Sequence, residues 1–167
     1  MPQPVQYRGM SLVVPDNDSE WIEFYAHARK HQLVVRKCQA CGLLRYPPTH
    51  ACPWCMDLGW TWQEVSGKGT IYSYEIVVHA IQPGFKEIAP YAVVLIELDE
   101  QRATPTPDES LRIIANLVKP DFSPEAEANV AIGKRVRVVF QDLADHMALP
   151  QFTLTEEKPD GRLWRLT

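Results

Sequence analysis

Four cysteines, at positions 38, 41, 52 and 55, are the residues of this chain best suited to chemistry, and no other cysteine occurs in its 167 residues. They form two Cys-x-x-Cys pairs with ten residues between them. Thiolates are soft ligands, and two such knuckles present four sulfurs to a tetrahedral zinc ion with Zn–S distances of about 2.3 Å. Four thiolates leave no open coordination position, so a zinc held this way is structural and activates no water. Two other readings of the same cysteines are free or disulfide-bonded thiols and an iron–sulfur cluster. His31 and His50 are near enough in sequence to act as alternative ligands, but four thiolates leave them outside the set.

Little else is arranged for catalysis. No cysteine remains as a nucleophile, no serine lies in a Gly-x-Ser-x-Gly setting, and Gly67-Lys68-Gly69 reads as a hairpin turn rather than a phosphate loop. Glu97, Asp99 and Glu100 cluster at a strand end, where carboxylates are usually solvated, and His79 and His146 are isolated. The lack of an acid–base constellation argues against an autonomous enzyme. One charge feature stands out. From Phe24 to Met56 there is no Asp or Glu, while Arg29, Lys30, Arg36, Lys37 and Arg45 are all present. These cations either offset a tetrathiolate centre of charge about −2 or form an anion-binding surface.

Net charge is −4, with 46% apolar and 23% charged residues, the composition of a globular protein with no general attraction to nucleic acid or anionic membrane. No apolar run approaches the roughly 20 residues of a membrane span. Met1-Pro2-Gln3-Pro4 lacks the basic-then-apolar layout of a signal peptide, so cytoplasm is the expected compartment.

The elements that must position the cysteines follow from pattern. Residues 1–16 are Pro-rich and read as an irregular arm, ordered only by docking. A helix is expected over 19–31, capped by Asn17, Asp18 or Ser19, with Trp21, Tyr25 and Ala28 on its apolar face. Short strands over 33–36 and 43–46 flank the first knuckle. Beyond Trp60 the texture is β, with strands expected over 61–65, 70–79, 91–98, 112–118 and 135–140. In the second of these, Tyr72, Tyr74, Ile76 and Val78 fall on one face by alternation. Residues 79–90 read as a loop, 99–110 as a polar excursion unfit for core, and 123–132 as a short helix with Pro124 at its start. A tail hairpin is expected between 152–154 and 163–166, around the turn at 158–161. Five strands with tight turns suggest a small barrel, of OB or SH3-like type. The division expected is arm and helix 1–32, zinc ribbon 33–60, and barrel with C-terminal extension 61–167.

The ordered string of motifs resembles one family. Trp21-Ile22-Glu23-Phe24-Tyr25 precedes Leu33-Val34-Val35-Arg36-Lys37-Cys38 and Cys41-Gly42, followed by Arg45-Tyr46-Pro47-Pro48 and Cys52-Pro53-Trp54-Cys55. Ser66-Gly67-Lys68-Gly69-Thr70, Pro90-Tyr91-Ala92-Val93-Val94, Ile132-Gly133-Lys134 and Leu149-Pro150-Gln151-Phe152 complete it. This is similar to the DUF35 family, over about residues 19–153. The resemblance implies a mainly β protein: an N-terminal helix, a rubredoxin-like zinc ribbon and a five-stranded OB-fold barrel. It implies structural Zn2+ on Cys38, Cys41, Cys52 and Cys55. It also implies a non-catalytic accessory role in acyl-CoA metabolism, beside thiolase-like proteins, MaoC-type hydratases or thiolase-like aldolases of steroid side-chain degradation. Acyl-CoA itself and a second copy of the chain are further contacts compatible with it. Arg45, Tyr46, Phe85, Lys86 and Tyr91 are the candidate ligand or partner contacts. The rival function is a single-stranded nucleic-acid module, for which Tyr72, Tyr74 and Trp54 would supply stacking. Two departures from the family pattern are the 99–110 excursion and the tail beyond Phe152.

Overall fold

The computed structural model describes residues 4–13, 19–159 and 161–165. Among these, the strands form three sheets. The candidate caps Asn17 and Asp18 lie outside the described residues, as do Asp160 and Leu166 of the expected tail hairpin.

Within the N-terminal arm, β1 (Val5–Tyr7) and β2 (Met10–Leu12) form a hairpin, and its Val5 and Tyr7 are buried. The helix α1 runs Ser19–Ala28, shorter than expected. It ends in a Schellman turn: His31 takes a left-handed φ of 58°, its N–H donates to Ala28 O (2.8 Å), and Gln32 N–H donates to His27 O (3.1 Å). Phe24 and Ala28 are buried, packed between the ribbon and the barrel.

The ribbon sheet has β3 (Leu33–Cys38) in the centre, between β4 (Leu44–Arg45) and β5 (Trp60–Val65). The strand expected to open the barrel, β5, therefore belongs to the ribbon sheet, pairing Leu33 with Val65 through Cys38 with Trp60. Ser66 and Gly67 turn it directly into the barrel. Gly67 has φ 69°, and a Cβ there would stand 2.2 Å from Val138 Cγ1, so the junction needs glycine twice over.

The barrel sheet is ordered β10-β9-β6-β7-β8, where β6 is Lys68–Val77, β7 Tyr91–Leu98, β8 Arg112–Asn116, β9 Arg135–Ala144 and β10 Met147–Leu154. Its two outer strands, β8 and β10, meet through the parallel bridge Leu117–Phe152, with Val118 N–H donating to Phe152 O at 2.8 Å. A five-stranded sheet closed in this order is the OB barrel. Ile71, Val94, Ile96, Leu98, Val136 and Phe152 fill it, each no more than 1% exposed.

Four further expectations change. In β6 a register shift between Ile71 and Ser73 breaks the alternation, so Ile71 and Tyr74 point inward and Tyr72 lies exposed. Residues 79–90 contain a short helix, α2 (Pro83–Lys86). The 123–132 helix reduces to a 3-10 turn, Glu127–Asn129, because Pro124 bridges to Val118. Residues 152–154 pair with β9 instead of the tail, whose Trp164 bridges to Ile132.

Candidate metal centre

β3 delivers Cys38 at its last position, and the chain then turns tightly: Gly42 N–H donates to Cys38 O (3.0 Å) and Cys38 N–H to Leu43 O (2.9 Å). The second pair repeats the turn, with Met56 N–H donating to Cys52 O (2.9 Å) and Cys52 N–H to Asp57 O (2.9 Å). In both, the residue after the second cysteine is left-handed, Gly42 at φ 76° and Met56 at φ 63°. The four Sγ atoms lie within 4.8 Å of one another, with Cys38–Cys55 at 3.5 Å and Cys41–Cys52 at 3.7 Å. Zn–S bonds near 2.3 Å give a tetrahedron with edges of about 3.8 Å, whereas a disulfide needs sulfurs about 2.05 Å apart. The geometry fits a metal and not a disulfide.

Electrostatics agree. Backbone N–H groups of Cys41 and Ala40, with the neighbouring thiols, outweigh burial and bring the Cys38 thiol down to about 6. Cys55 also receives a backbone N–H, from Asp57, yet burial and the three other sulfurs push it up to about 12. One thiolate forms readily and the next is resisted, so it is a divalent cation that allows all four to ionise. Cys38 and Cys52 are buried while Cys41 and Cys55 reach the surface. Trp54, Met56 and Leu58 are exposed around the second knuckle.

The cations of the acid-free stretch are mostly engaged within the fold. Arg36 is 1% exposed, stacked 3.7 Å over the Trp60 ring, and donates to Thr49 O (2.8 Å), with Glu20 of α1 at 3.5 Å. Its neighbour across the sheet, Arg45, donates to the same Thr49 carbonyl (3.2 Å) and to His50 O (3.4 Å). Burial lowers the Arg36 pKa and Glu20 opposes that shift. These two arginines close the loop between the knuckles. Arg29 pairs with Asp142 (3.4 Å), which leaves Lys30 and Lys37 as the exposed cations of the five. An anion surface built from all five is therefore not assembled.

The candidate contact residues separate into groups. Arg45 is buried as described. Tyr46 packs edge-on against Trp21 and tilted against Phe24, and burial raises its pKa. The Phe85 and Tyr91 rings pack tilted with centroids 5.2 Å apart, and Phe85 also meets Tyr7 of the N-terminal hairpin edge-on (6.0 Å). Lys86 is exposed beside them. The nucleic-acid platform does not form: Tyr74 is buried, and Arg112 lies 3.7 Å over the Tyr72 ring.

Two further residues hold structure in ways the sequence does not announce: Gln101 joins ribbon to barrel, and Asp99, expected to be solvated, is paired with arginines on the barrel side. Gln101, inside the polar excursion, is 8% exposed; its Oε1 accepts from Leu44 N–H (2.8 Å) and its Nε2 donates to Leu44 O (3.0 Å). It imitates a strand partner for β4. Asp99 accepts from the buried Arg135 (2.5 and 2.8 Å) and from Arg102, and Arg135 also donates to Thr70 Oγ1 (2.9 Å).

Comparison with known proteins agrees with this architecture. Residues 26–57 match the model of the ChsH2 rubredoxin-like zinc ribbon domain, and residues 62–141 that of the ChsH2 C-terminal OB-fold domain. The ribbon match and the sulfur geometry together assign structural zinc to the four cysteines. A probable enoyl-CoA hydratase alpha subunit of Thermomonospora curvata is 32% identical over 90% of this chain, which spans 41% of that protein's length. A DUF35 domain-containing scaffold protein of Methanocaldococcus jannaschii is 32% identical, over 70% of this chain and 72% of its own. Among solved structures, a chain of the Ltp2-ChsH2(DUF35) aldolase superposes with a TM-score of 0.64 at 30% identity, over 84% of this chain and 96% of that one. The chain belongs to the DUF35 family.

Proposed function

We propose that this chain is a non-catalytic accessory subunit of an acyl-CoA-metabolising enzyme complex, partnering a thiolase-like, hydratase or aldolase subunit in the cytoplasm. The observation that carries this reading is the likeness to the DUF35 chain of the Ltp2-ChsH2 aldolase, which extends over nearly all of that chain. A hydratase alpha subunit among the relatives points to the same class of partner. No described helix is long and apolar enough to cross a membrane. In this reading the zinc holds a rigid ribbon whose exposed Trp54, Met56 and Leu58 form one contact region. The tilted Phe85–Tyr91 pair with Lys86 forms a second, and Tyr46 acts from within by holding α1. The proposed division is arm and helix 1–32, zinc ribbon 33–60 and barrel with C-terminal extension 61–167, with β5 pairing on the ribbon side across the last boundary.

Co-expression of the tagged chain with candidate thiolase-fold, hydratase and aldolase subunits from the same genome tests the proposal. Co-elution with one of them at a fixed ratio in size exclusion, with acyl-CoA turnover only in the joint fraction, is the expected result. Separate elution of the folded chain from every folded candidate overturns it.

A further inference from the structure

The OB barrel closes at one junction, where β8 and β10 meet through Leu117 and Phe152. Beside this junction the two strands and α1 enclose an open cleft of about 290 Å³. Ile113, Ala115 and Asn116 of β8 form one wall, Pro150 and Gln151 of β10 another, and Tyr25 of α1 with Tyr46 of the ribbon complete it. No charged side chain lines it. Gln151 is 1% exposed; its Nε2 donates to Gln141 Oε1 (2.6 Å), while its Oε1 has no partner. A buried amide oxygen left unpaired costs the desolvation of that atom, which a ligand donor would recover.

The geometry points to a small-molecule site, and we infer that it takes a neutral, mainly aliphatic chain carrying an amide. Three observations fix that class. Ile113, Ala115, Leu149 and Pro150 give a chain apolar surface beside the polar Asn116 and Gln151, and the lack of any cation leaves a carboxylate or phosphate with nothing to offset its desolvation. The unpaired Gln151 oxygen calls for an N–H donor, and a primary amide pairs with a glutamine amide side by side. The volume stands at the low end of small-ligand pockets, roughly 300 to 1,000 Å³, which admits one slender chain. This site is separate from the zinc centre and from the half-buried Phe85–Tyr91 pair, and it does not depend on which enzyme the chain accompanies.

The test is titration of the zinc-loaded full-length chain with octanamide, followed by backbone amide NMR and calorimetry. Saturable one-to-one binding is expected, with shifts centred on residues 113–116, 149–151 and the inner face of α1. Octanoate, the same chain with a charge, should bind at least tenfold more weakly. Gln151→Met keeps the volume and removes the amide, and should weaken octanamide at least fivefold with zinc content unchanged. If that variant does not fold, Ala115→Leu narrows the cleft from β8 and should likewise weaken binding. Absence of saturable binding overturns the inference. So does octanoate binding as well as octanamide, or wild-type affinity in whichever variant folds.

Discussion

Met56 and Gly42 occupy equivalent places in the two knuckles, yet only the glycine is relaxed there. A left-handed backbone costs an ordinary residue roughly 1 to 2 kcal/mol, partly offset by the extra chain entropy that glycine loses on folding. Met56→Gly should therefore stabilise the ribbon by about 0.5 to 1 kcal/mol, seen as a higher melting temperature and slower zinc release to a chelator. Cys41→Ser acts in the opposite direction. It removes one of the four sulfurs that lie within 4.8 Å of one another, and bound zinc contributes on the order of 10 kcal/mol in isolated modules. Zinc should fall well below one per chain by elemental analysis, and the ribbon should unfold while much of the barrel's β signal persists. Asp99 gives a pH-dependent prediction. Hydrogen bonds from Arg135 and the nearby charge of Arg102 hold its carboxyl below the ordinary range against partial burial. Because the folded pKa is the lower one, its contribution is complete above about pH 4 and fades as pH falls through the depressed value. Wild type should exceed Asp99→Asn by about 2 kcal/mol between pH 5 and 8. The gap should close below about pH 4, as read by urea unfolding of the barrel.

At the scale of elements, the joint between ribbon and barrel rests on covalent continuity at Ser66-Gly67 and on the paired amide of Gln101. Gln101→Leu leaves the Leu44 N–H and C=O without that partner, at a cost of about 2 to 3 kcal/mol. Hydrogen exchange should accelerate in β4 and the knuckles well before it does in β7 or β9. The sequence makes much of this level legible. The Cys-x-x-Cys spacing marks both knuckles, and the apolar run 91–98 coincides with β7. What pattern does not reveal is partnership. Thr61 to Val65 alternate like any half-buried strand, and nothing local says that they pair with β3 rather than within the barrel. The bulge after Ile71 cannot be read from alternation because it is a break in alternation, and it sends Tyr72 out while Tyr74 goes in. β10 is obscured by Pro150, which a central strand would exclude but which the edge of this sheet accepts. Gln101 and Gln151 look like surface glutamines until the fold buries them.

For the whole molecule, α1 binds the parts into one unit. Glu20 meets Arg36, Glu23 accepts from Trp62 Nε1 (2.7 Å), and Phe24 packs on the common core. The apolar face of the helix is thus covered from within and is not itself a surface awaiting a partner. Among the described residues, exposed apolar side chains include Trp54, Met56 and Leu58 at the knuckle tip and Val78 and Ile81 ahead of α2, whose Lys86 is also exposed. A rigid body with separate exposed patches and a closed metal centre suits a protein that holds others in place. Native mass spectrometry of the chain co-expressed with a candidate thiolase-fold, hydratase or aldolase subunit tests this most directly. The account predicts one heteromeric species carrying one zinc per copy of this chain, lost on Cys41→Ser. A folded, zinc-loaded chain that remains free of every such subunit would contradict it.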